Sequence, residues 1–535
     1  MDFGHRTSWT LDFGHRTMDL WKKVLSGLKT YRVLFLSLVG ATTLFHLWYI
    51  SAGFLDLAPD EAHYWEWSRH LDWSYYSKGP VVAYLIALST RLGGDTEFFV
   101  RLPAVIISAA VAIIAFLLAK EMFNSEMIGF YATLLLSLMP LYAAGAIFMT
   151  IDPPFILFWA LAIFFLYKAL STENGLWWYP AGATLGLGLL TKYTMVLLLP
   201  CLFLYLVLSP RGRPWLRQKE PYLALLLSGL LFSPVILWNA AHGWVSLRHV
   251  LGQAGAGKGL QLSFATFFQF LGSQAGVVTP LFFLAMVLGM VRSGRLGIRE
   301  AREEHLFLFC TSAPVLAFFL LFSLHTKVQA NWAAPAYFTA ALAVVAWGKD
   351  SIGQGPPARK RWTLRGLVAV AFLLAFLVNV IGHFPALLGK VGIDLDPKMD
   401  PTHRLQGWRE LGAEVSAVLK EMKTKNHTFI LSDAYQISSE LAFYVDGHPR
   451  TYNANLGRRM NQYDLWEGFY SFKGSDAIYV TWGDGELHPE VKRAFASIQR
   501  GGVLRILHRG KVAQTFSIYR GYNFKGMDAK GFQKF

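Results

Sequence analysis

The sequence predicts a polytopic α-helical membrane protein of about eleven transmembrane helices with a C-terminal soluble α/β domain, and three observations carry the prediction. Of the 535 residues, 54% are hydrophobic and only 16% are charged, with a mean hydropathy of +0.35, far from soluble-globular averages. Apolar runs of about 20 residues, the length a helix needs to cross a bilayer, recur between Val33 and Phe384. Beyond Phe384 the pattern changes to charged and β-branched segments bounded by turn residues.

The first span runs from about Val33 to Phe54, and Lys22, Lys23, Lys29 and Arg32 before it place the N-terminus in the cytoplasm. Further spans are expected over about 98–118, 128–149, 153–170, 177–191, 194–209, 222–240, 265–291, 306–324, 332–347 and 366–384. Alternation then sends three basic loops to the cytoplasmic side: Arg211, Arg213, Arg217 and Lys219; Arg292, Arg295, Arg299 and Arg302; Arg359, Lys360, Arg361 and Arg365. The short, glycine-rich span at 177–191 is the one on which this agreement depends. An odd number of spans divides the chain into a cytoplasmic tail (1–32), a transmembrane domain (33–384) with an external loop at 55–97, and an extracytoplasmic α/β domain (385–535). In that last domain NHTFILSDAY, SDAIYVTWG and QTFSIYRGY read as strands, and Gly407 to Lys423 as a helix.

The 50 Lys and Arg against 35 Asp and Glu leave a formal charge of +15. Much of the surplus falls in short loops between apolar runs, so it reads as topology, with membrane lipids rather than nucleic acid as the partner. Cys201 and Cys310 both lie inside apolar runs, which indicates neither metal spacing nor a disulfide framework. The stretch DFGHRT at Asp2–Thr7 recurs at Asp12–Thr17 just before Met18, and is read as an unstructured tail or an upstream start, with Met18 the natural one.

The same alternation gathers the unusual polar residues on the external face. Asp60, Glu61, His63, His70 and Lys78 lie in the first loop, Asp152 at the third-to-fourth junction, and Lys192 at the fifth-to-sixth. His242, Arg248 and His249 follow Trp238, and Lys327 and Asn331 lie in HTKVQANW. Charges at such depth are costly unless paired or functional. Asp60, Glu61 and Asp152 are the candidate catalytic acids; Lys78, Lys192, Arg248 and Lys327 suit a donor phosphate; Tyr64, His242 and Asn331 are candidate substrate contacts. His242 and His249 beside Asp60 are candidate metal ligands, which leaves a divalent metal as the one cofactor in view, although external histidines are more often solvated.

Each residue also has a structural reading. Pro59 suits a first helical position, and Asp60 and Glu61 suit the first turn of a short helix. Tyr64, Trp67, Ser68 and Leu71 would share one face of it, with Trp65, Trp67, Trp73, Tyr75 and Tyr76 forming an interfacial belt. Lys78 could snorkel, and Asp152 could cap the helix that Pro153 and Pro154 begin.

Together, P-D-E-x-x-Y at Pro59–Tyr64, SKGP at Ser77–Pro80, Asp152 at its junction, LTKYT at Leu190–Thr194 and an external C-terminal domain resemble the bacterial members of the protein O-mannosyltransferase and aminoarabinose (lipid A) transferase superfamily. These are GT-C glycosyltransferases that use polyprenyl-phosphate sugars. The resemblance implies a GT-C catalytic domain over 33–384, with Asp60 as the acid implicated in catalysis, Asp152 as the second acid near the cavity, and Lys78 and Lys192 as contacts to the lipid phosphate. The aminoarabinose transferases carry an acid before the first lysine, where this chain has Ser77. The implied activity is inverting transfer from a polyprenyl-phosphate sugar to an extracytoplasmic acceptor, lipid A or another envelope glycan, at the bacterial inner membrane with the C-terminal domain in the periplasm. Transfer to a protein hydroxyl is the alternative within the class. A transporter or lipid flippase is the alternative outside it, and the gathering of polar residues on one face, without evident internal repeats, speaks against it. The aromatics of YQISSELAFY and NQYDLWEGFY suit sugar faces, core packing being their commoner role.

Overall fold

Backbone groups in hydrocarbon must satisfy one another, so apolar runs of this length fold as helices. A computed structural model describes residues 30–255, 262–353, 358–393, 396, 400, 402–423 and 426–527; the N-terminal repeat, Lys22, Lys23 and Lys29 lie outside them. Seven of the described helices are long and apolar enough to cross a membrane. They are α1 (Thr30–Ser51), α4 (Glu97–Phe123), α7 (Asp152–Thr172), α10 (Glu220–Ala241), α13 (Pro280–Arg299), α14 (Glu303–Phe322) and the 362–383 part of α16 (Ala358–His383). Between them lie α2 (Pro59–Arg69), α3 (Val81–Gly93), α5 (Glu126–Ser137), α6 (Pro140–Gly145), α8 (Trp178–Leu189), α9 (Leu198–Leu208), α11 (Val245–Gln253), α12 (Phe264–Val278) and α15 (Ala334–Gly353). Helix α15 is central: Ala336, Tyr337, Phe338 and Ala340 to Ala343 are all fully buried.

Two expected spans are broken, each at a proline. The span expected over 265–291 is α12 and α13, which meet at Thr279 with φ +80° before Pro280, a residue with no N–H to continue the ladder. The span expected over 128–149 is α5 followed by α6, separated at Leu138 and Met139 before Pro140.

The C-terminal part forms one five-stranded sheet of β1 (Thr428–Ser432), β2 (Thr451–Asn453), β3 (Asp476–Trp482), β4 (Phe495–His508) and β5 (Lys511–Phe524), in the order β2-β1-β3-β5-β4. Strands β1, β2 and β3 run parallel, and β5 pairs antiparallel with β3 and with β4. The short helix α17 (Ala386–Lys390) precedes the sheet in sequence and α20 (Pro489–Arg493) lies between β3 and β4, while α18 (Trp408–Lys423) and α19 (Tyr435–Tyr444) cover one sheet face. The expected helix and three of the strands are present.

The sheet domain sits on the segment between α1 and α4. Asp56 accepts the Trp408 N–H at 2.8 Å and pairs with Arg409 Nε at 3.2 Å, and Arg409 also grips Glu97. Tyr444 Oη accepts the Leu57 N–H at 2.7 Å, and His63 Nδ1 meets Ser439 Oγ at 3.0 Å. This docking overturns the belt expected of α2: Trp65, Trp67 and Tyr75 are fully buried and Tyr76 nearly so, with Trp65 edge-on to Phe443 at 4.9 Å. The helix lies between the membrane bundle and the sheet domain instead of on a bilayer surface. Trp73 alone of the five is exposed, and Leu71 falls beyond the end of α2.

Candidate active site

Helix α2 starts with Pro59 in its first turn, and the Glu61 carboxylate accepts the Ala58 N–H at 3.0 Å, closing the helix end. The same carboxylate receives Arg101 Nη2 at 2.8 Å and the Met149 N–H at 2.8 Å. Arg101 in turn donates to the carbonyls of Leu55 and Asp56 at 2.9 and 2.7 Å. Glu61 is wholly buried and holds α2, α4 and the approach to α7 together; among the acids proposed from sequence, it stands behind the site.

Asp60 faces the other way, exposed to the space between the two domains, and accepts a long hydrogen bond from Tyr435 Oη at 3.4 Å. Crowding by protein raises its carboxyl above the ordinary carboxylate range, against the pull of the Lys78 charge. Tyr64, one turn on, is buried beside Asp60, Tyr435 and Asp152.

Lys78 closes a turn in which Tyr75 N–H and Ser74 Oγ donate to its carbonyl at 3.1 and 3.3 Å. Gly79 then passes so near the end of α8 that a Cβ there would lie 1.8 Å from the Leu190 carbonyl oxygen. Glycine at this position is what lets the Lys78 turn and the Lys192 turn share one site. Burial pushes the Lys78 ammonium down to about 8, Lys192 adding to the effect and Asp152 and Asp60 opposing it.

Lys192 Nζ donates to Asp152 Oδ1 at 2.7 Å, and Asn331 Nδ2 donates to Asp152 Oδ2. The lysine side chain is 6% exposed and the aspartate 22%, so this pair is compensated within the protein while Asp60 and Lys78 keep open faces.

His242 and His249 flank the Lys78 loop. His242 stacks on Trp238 with ring centroids 4.0 Å apart, and Trp238 Nε1 donates to Asp72 at 2.8 Å. His249 is buried with Nδ1 3.2 Å from Tyr76 Oη, and burial holds it down at about 3, with Arg459 and Lys78 adding to the shift, so it is neutral. Arg248 and Lys327 are exposed. Asp60, His242 and His249 do not converge, and among the described residues no group of three His, Cys, Asp or Glu side chains could hold a metal ion. These donors do not fit the divalent metal considered from sequence.

Tyr435 and Arg459 reach the site from the sheet domain, and no motif marks either; their hundreds of residues of separation from Asp60 hide them from a sequence reading. YQISSELAFY was the one hint, since Tyr435 is its first residue.

Residues 77–238, which include Lys78, Asp152 and Lys192, match the family model described as dolichyl-phosphate-mannose-protein mannosyltransferase. The lipid A galacturonosyltransferase RgtD of Rhizobium johnstonii is 28% identical over 326 residues, covering 60% of this chain and 66% of that protein. The undecaprenyl phosphate-alpha-4-amino-4-deoxy-L-arabinose arabinosyl transferase of Pectobacterium atrosepticum is 28% identical over 361 residues, covering 61% of this chain and 62% of that protein. The chain therefore spans just under two thirds of the length of these relatives. The crystal structure of ArnT from Cupriavidus metallidurans bound to undecaprenyl phosphate superposes with a TM-score of 0.60 at 16% identity, over 92% of this chain and 98% of that one. The fold is that of the GT-C glycosyltransferases. The archaeal oligosaccharyltransferase AglB from Archaeoglobus fulgidus shares the GT-C fold more distantly, with a TM-score of 0.51 at 12% identity over 83% of this chain and 69% of that one. The resemblance carried by P-D-E-x-x-Y, SKGP and LTKYT is thus borne out, and the GT-C architecture is what brings those three distant motifs to one end of the bundle.

Proposed function

We propose that this chain is an inverting glycosyltransferase that moves a sugar from an undecaprenyl-phosphate donor to lipid A, on the extracytoplasmic face of a bacterial inner membrane. The observation that carries the reading is the pairing of an accessible acid, Asp60, with a partly buried lysine, Lys78, beside a lysine and acid that neutralise each other. An open apolar groove, lined by Thr42, Ile107, Val111, Leu141 and Ile156 among others, reaches Asp152 and suits a prenyl chain lying against it from the bilayer. That the relatives include a lipid A galacturonosyltransferase and an undecaprenyl-phosphate-linked aminoarabinose transferase supports the acceptor and donor classes alike.

In the proposed reaction the acceptor oxygen bonds to the anomeric carbon as the bond from that carbon to the phosphate oxygen breaks. The bonding pair departs on the lipid phosphate, where the Lys78 ammonium stabilises the developing charge, an electrostatic contribution worth several kcal/mol in a fixed site (~3 kcal/mol per donor). With a hydroxyl acceptor the proton passes to Asp60; with a phosphate acceptor there is no proton to remove, and Asp60 orients the incoming group.

Sidedness rests on the basic loops. Tyr205 Oη and Ser209 Oγ donate to Glu303 at 2.8 and 2.6 Å, which brings the loops bearing Arg211–Lys219 and Arg299–Arg302 together. Trp238, near the opposite end of the 22-residue α10, about 27 Å from its start, touches the Lys78 loop through Asp72. By the positive-inside rule the sheet domain and the site then lie outside the cytoplasm.

Mass spectrometry of lipid A from cells lacking the protein, complemented with wild type or with Asp60→Asn, tests the reading. A sugar-sized mass increment restored by wild type alone is expected. Unchanged lipid A with altered glycoproteins would move the acceptor to a protein hydroxyl, and equal restoration by Asp60→Asn would remove Asp60 from the chemistry.

A further inference from the structure

The segment from Asn455 to Tyr463 joins the sheet domain to the membrane-side site. Gln462 Oε1 accepts the Tyr76 N–H at 2.6 Å, and Met460 is buried among Tyr76, Trp238 and Val245. Arg458 turns inward and pairs bidentately with Asp464 at 2.7 and 2.9 Å, while Asp464 also accepts the Asn461 N–H at 2.8 Å. Gly457, at φ +91°, begins this turn and donates its N–H to Asn455 Oδ1 at 3.0 Å. Both neighbours of Arg459 are therefore anchored, and Arg459 itself is exposed, with no hydrogen bond or ion pair from its side chain among the described residues.

Met460 and Gln462, just after it, pack on Tyr76, two residues before Lys78, so Arg459 lies at the rim of the space that Asp60 and Lys78 face, and its charge acts on Lys78, Tyr76, His249 and Tyr435. The charges there do not balance. Lys192 is neutralised by Asp152, Lys78 looks toward Asp60, and Arg459 is a further cation with no acid paired to it among the described residues. A rigidly presented cation beside a lysine is unfavourable unless the site receives anions. A phosphodiester donor brings one negative charge to Lys78, so Arg459 is left for a second anion. A planar guanidinium fits a phosphate or carboxylate through two parallel hydrogen bonds.

We infer that Arg459 is a specificity-determining residue, contributed by the sheet domain, that holds an anionic group of phosphate class on the acceptor. This rests on the transfer reading above, and adds that acceptor charge is read by the sheet domain while the donor is read by the membrane bundle.

The test uses the purified full chain in lipid nanodiscs with two probes, lipid A carrying both of its phosphates and lipid A stripped of them. Binding is measured without donor, and transfer kinetics with it, for wild type, Arg459→Ala and Arg459→Lys, with thermal unfolding checked for each. Wild type is expected to prefer the phosphorylated probe by about tenfold or more, the worth of one charge-assisted hydrogen bond lost. Arg459→Ala should lose that preference, with acceptor KM raised, donor KM unchanged and kcat within about threefold, and Arg459→Lys should recover part of the preference. Equal binding of the two probes by wild type, retention of the preference by Arg459→Ala, or a rise in donor KM instead of acceptor KM would each overturn the inference. Preserved discrimination in binding without any sugar transfer would instead sink the transferase reading and leave the anion site standing.

Discussion

Asp60 and Lys78 both stand away from their ordinary ionisation, and in opposite senses. The Asp60 carboxyl is raised by the protein crowded around it, and the Lys78 ammonium is lowered to about 8. Transfer to a hydroxyl needs the first deprotonated and the second protonated. The rate should therefore climb with pH through a carboxylate range higher than usual and fall again as Lys78 loses its proton above about pH 8. A kcat/KM profile checks this, and Lys78→Arg should move the alkaline limb upward, because a guanidinium stays charged across the accessible range. An alkaline limb that Lys78→Arg leaves in place would assign it to another group. Asp60, Lys78, Asp152 and Lys192 were legible because a charge at the mouth of an apolar run needs a reason. The division of labour among them was not: Glu61 looks as catalytic as Asp60 in sequence, and only the Arg101 guanidinium, 40 positions away, shows which one is tied down. Asn331 was legible as a candidate, while its partner Asp152, 179 positions distant, required the fold.

At the level of elements, the site depends on how closely two turns approach. The Lys78 turn and the end of α8 meet backbone to backbone at Gly79 and Leu190, where even a methyl group would collide with the carbonyl oxygen. Gly79→Ala should lower stability by about 1–3 kcal/mol, the usual range for forced overpacking, and a shift of Lys78 by about 1 Å should reduce kcat/KM on the order of a hundredfold. Thermal unfolding and donor-dependent kinetics measure both, and a variant of unchanged stability and rate would show that the turns do not need this contact. Element existence was readable from apolar run length, since a buried or lipid-facing helix has to be apolar along it. The breaks at Thr279 and Met139 were hidden because a proline within an apolar run is tolerated in membrane helices as readily as it ends them. The aromatic cluster on α2 misled for a different reason. Trp and Tyr serve equally at a bilayer surface and under a docked domain, and hydropathy does not distinguish the two.

For the whole molecule the question is whether the sheet domain is an appendage or part of the catalytic body. Its α19 covers α2, so that Trp65 and Phe443 share a core with Met149 and Ile151 of the membrane bundle, while Arg409 bridges Asp56 and Glu97 across the junction. Removing the domain would expose the apolar face of α2, strip Tyr435 from Asp60, and leave Asp56 and Glu97 without their cation. Exposed apolar patches of that kind drive association, and acids left at a half-buried junction without a partner destabilise it. A chain ended after residue 393 is therefore expected to aggregate in detergent, whereas the full chain is expected to elute as one symmetric peak from a sizing column. It should also fail to regain transfer when the sheet domain is supplied as a separate polypeptide, because α2 has no folded state to offer it. A monodisperse truncated chain that still binds the prenyl-phosphate donor would show the opposite, that the bundle folds alone and the sheet domain acts only on the acceptor.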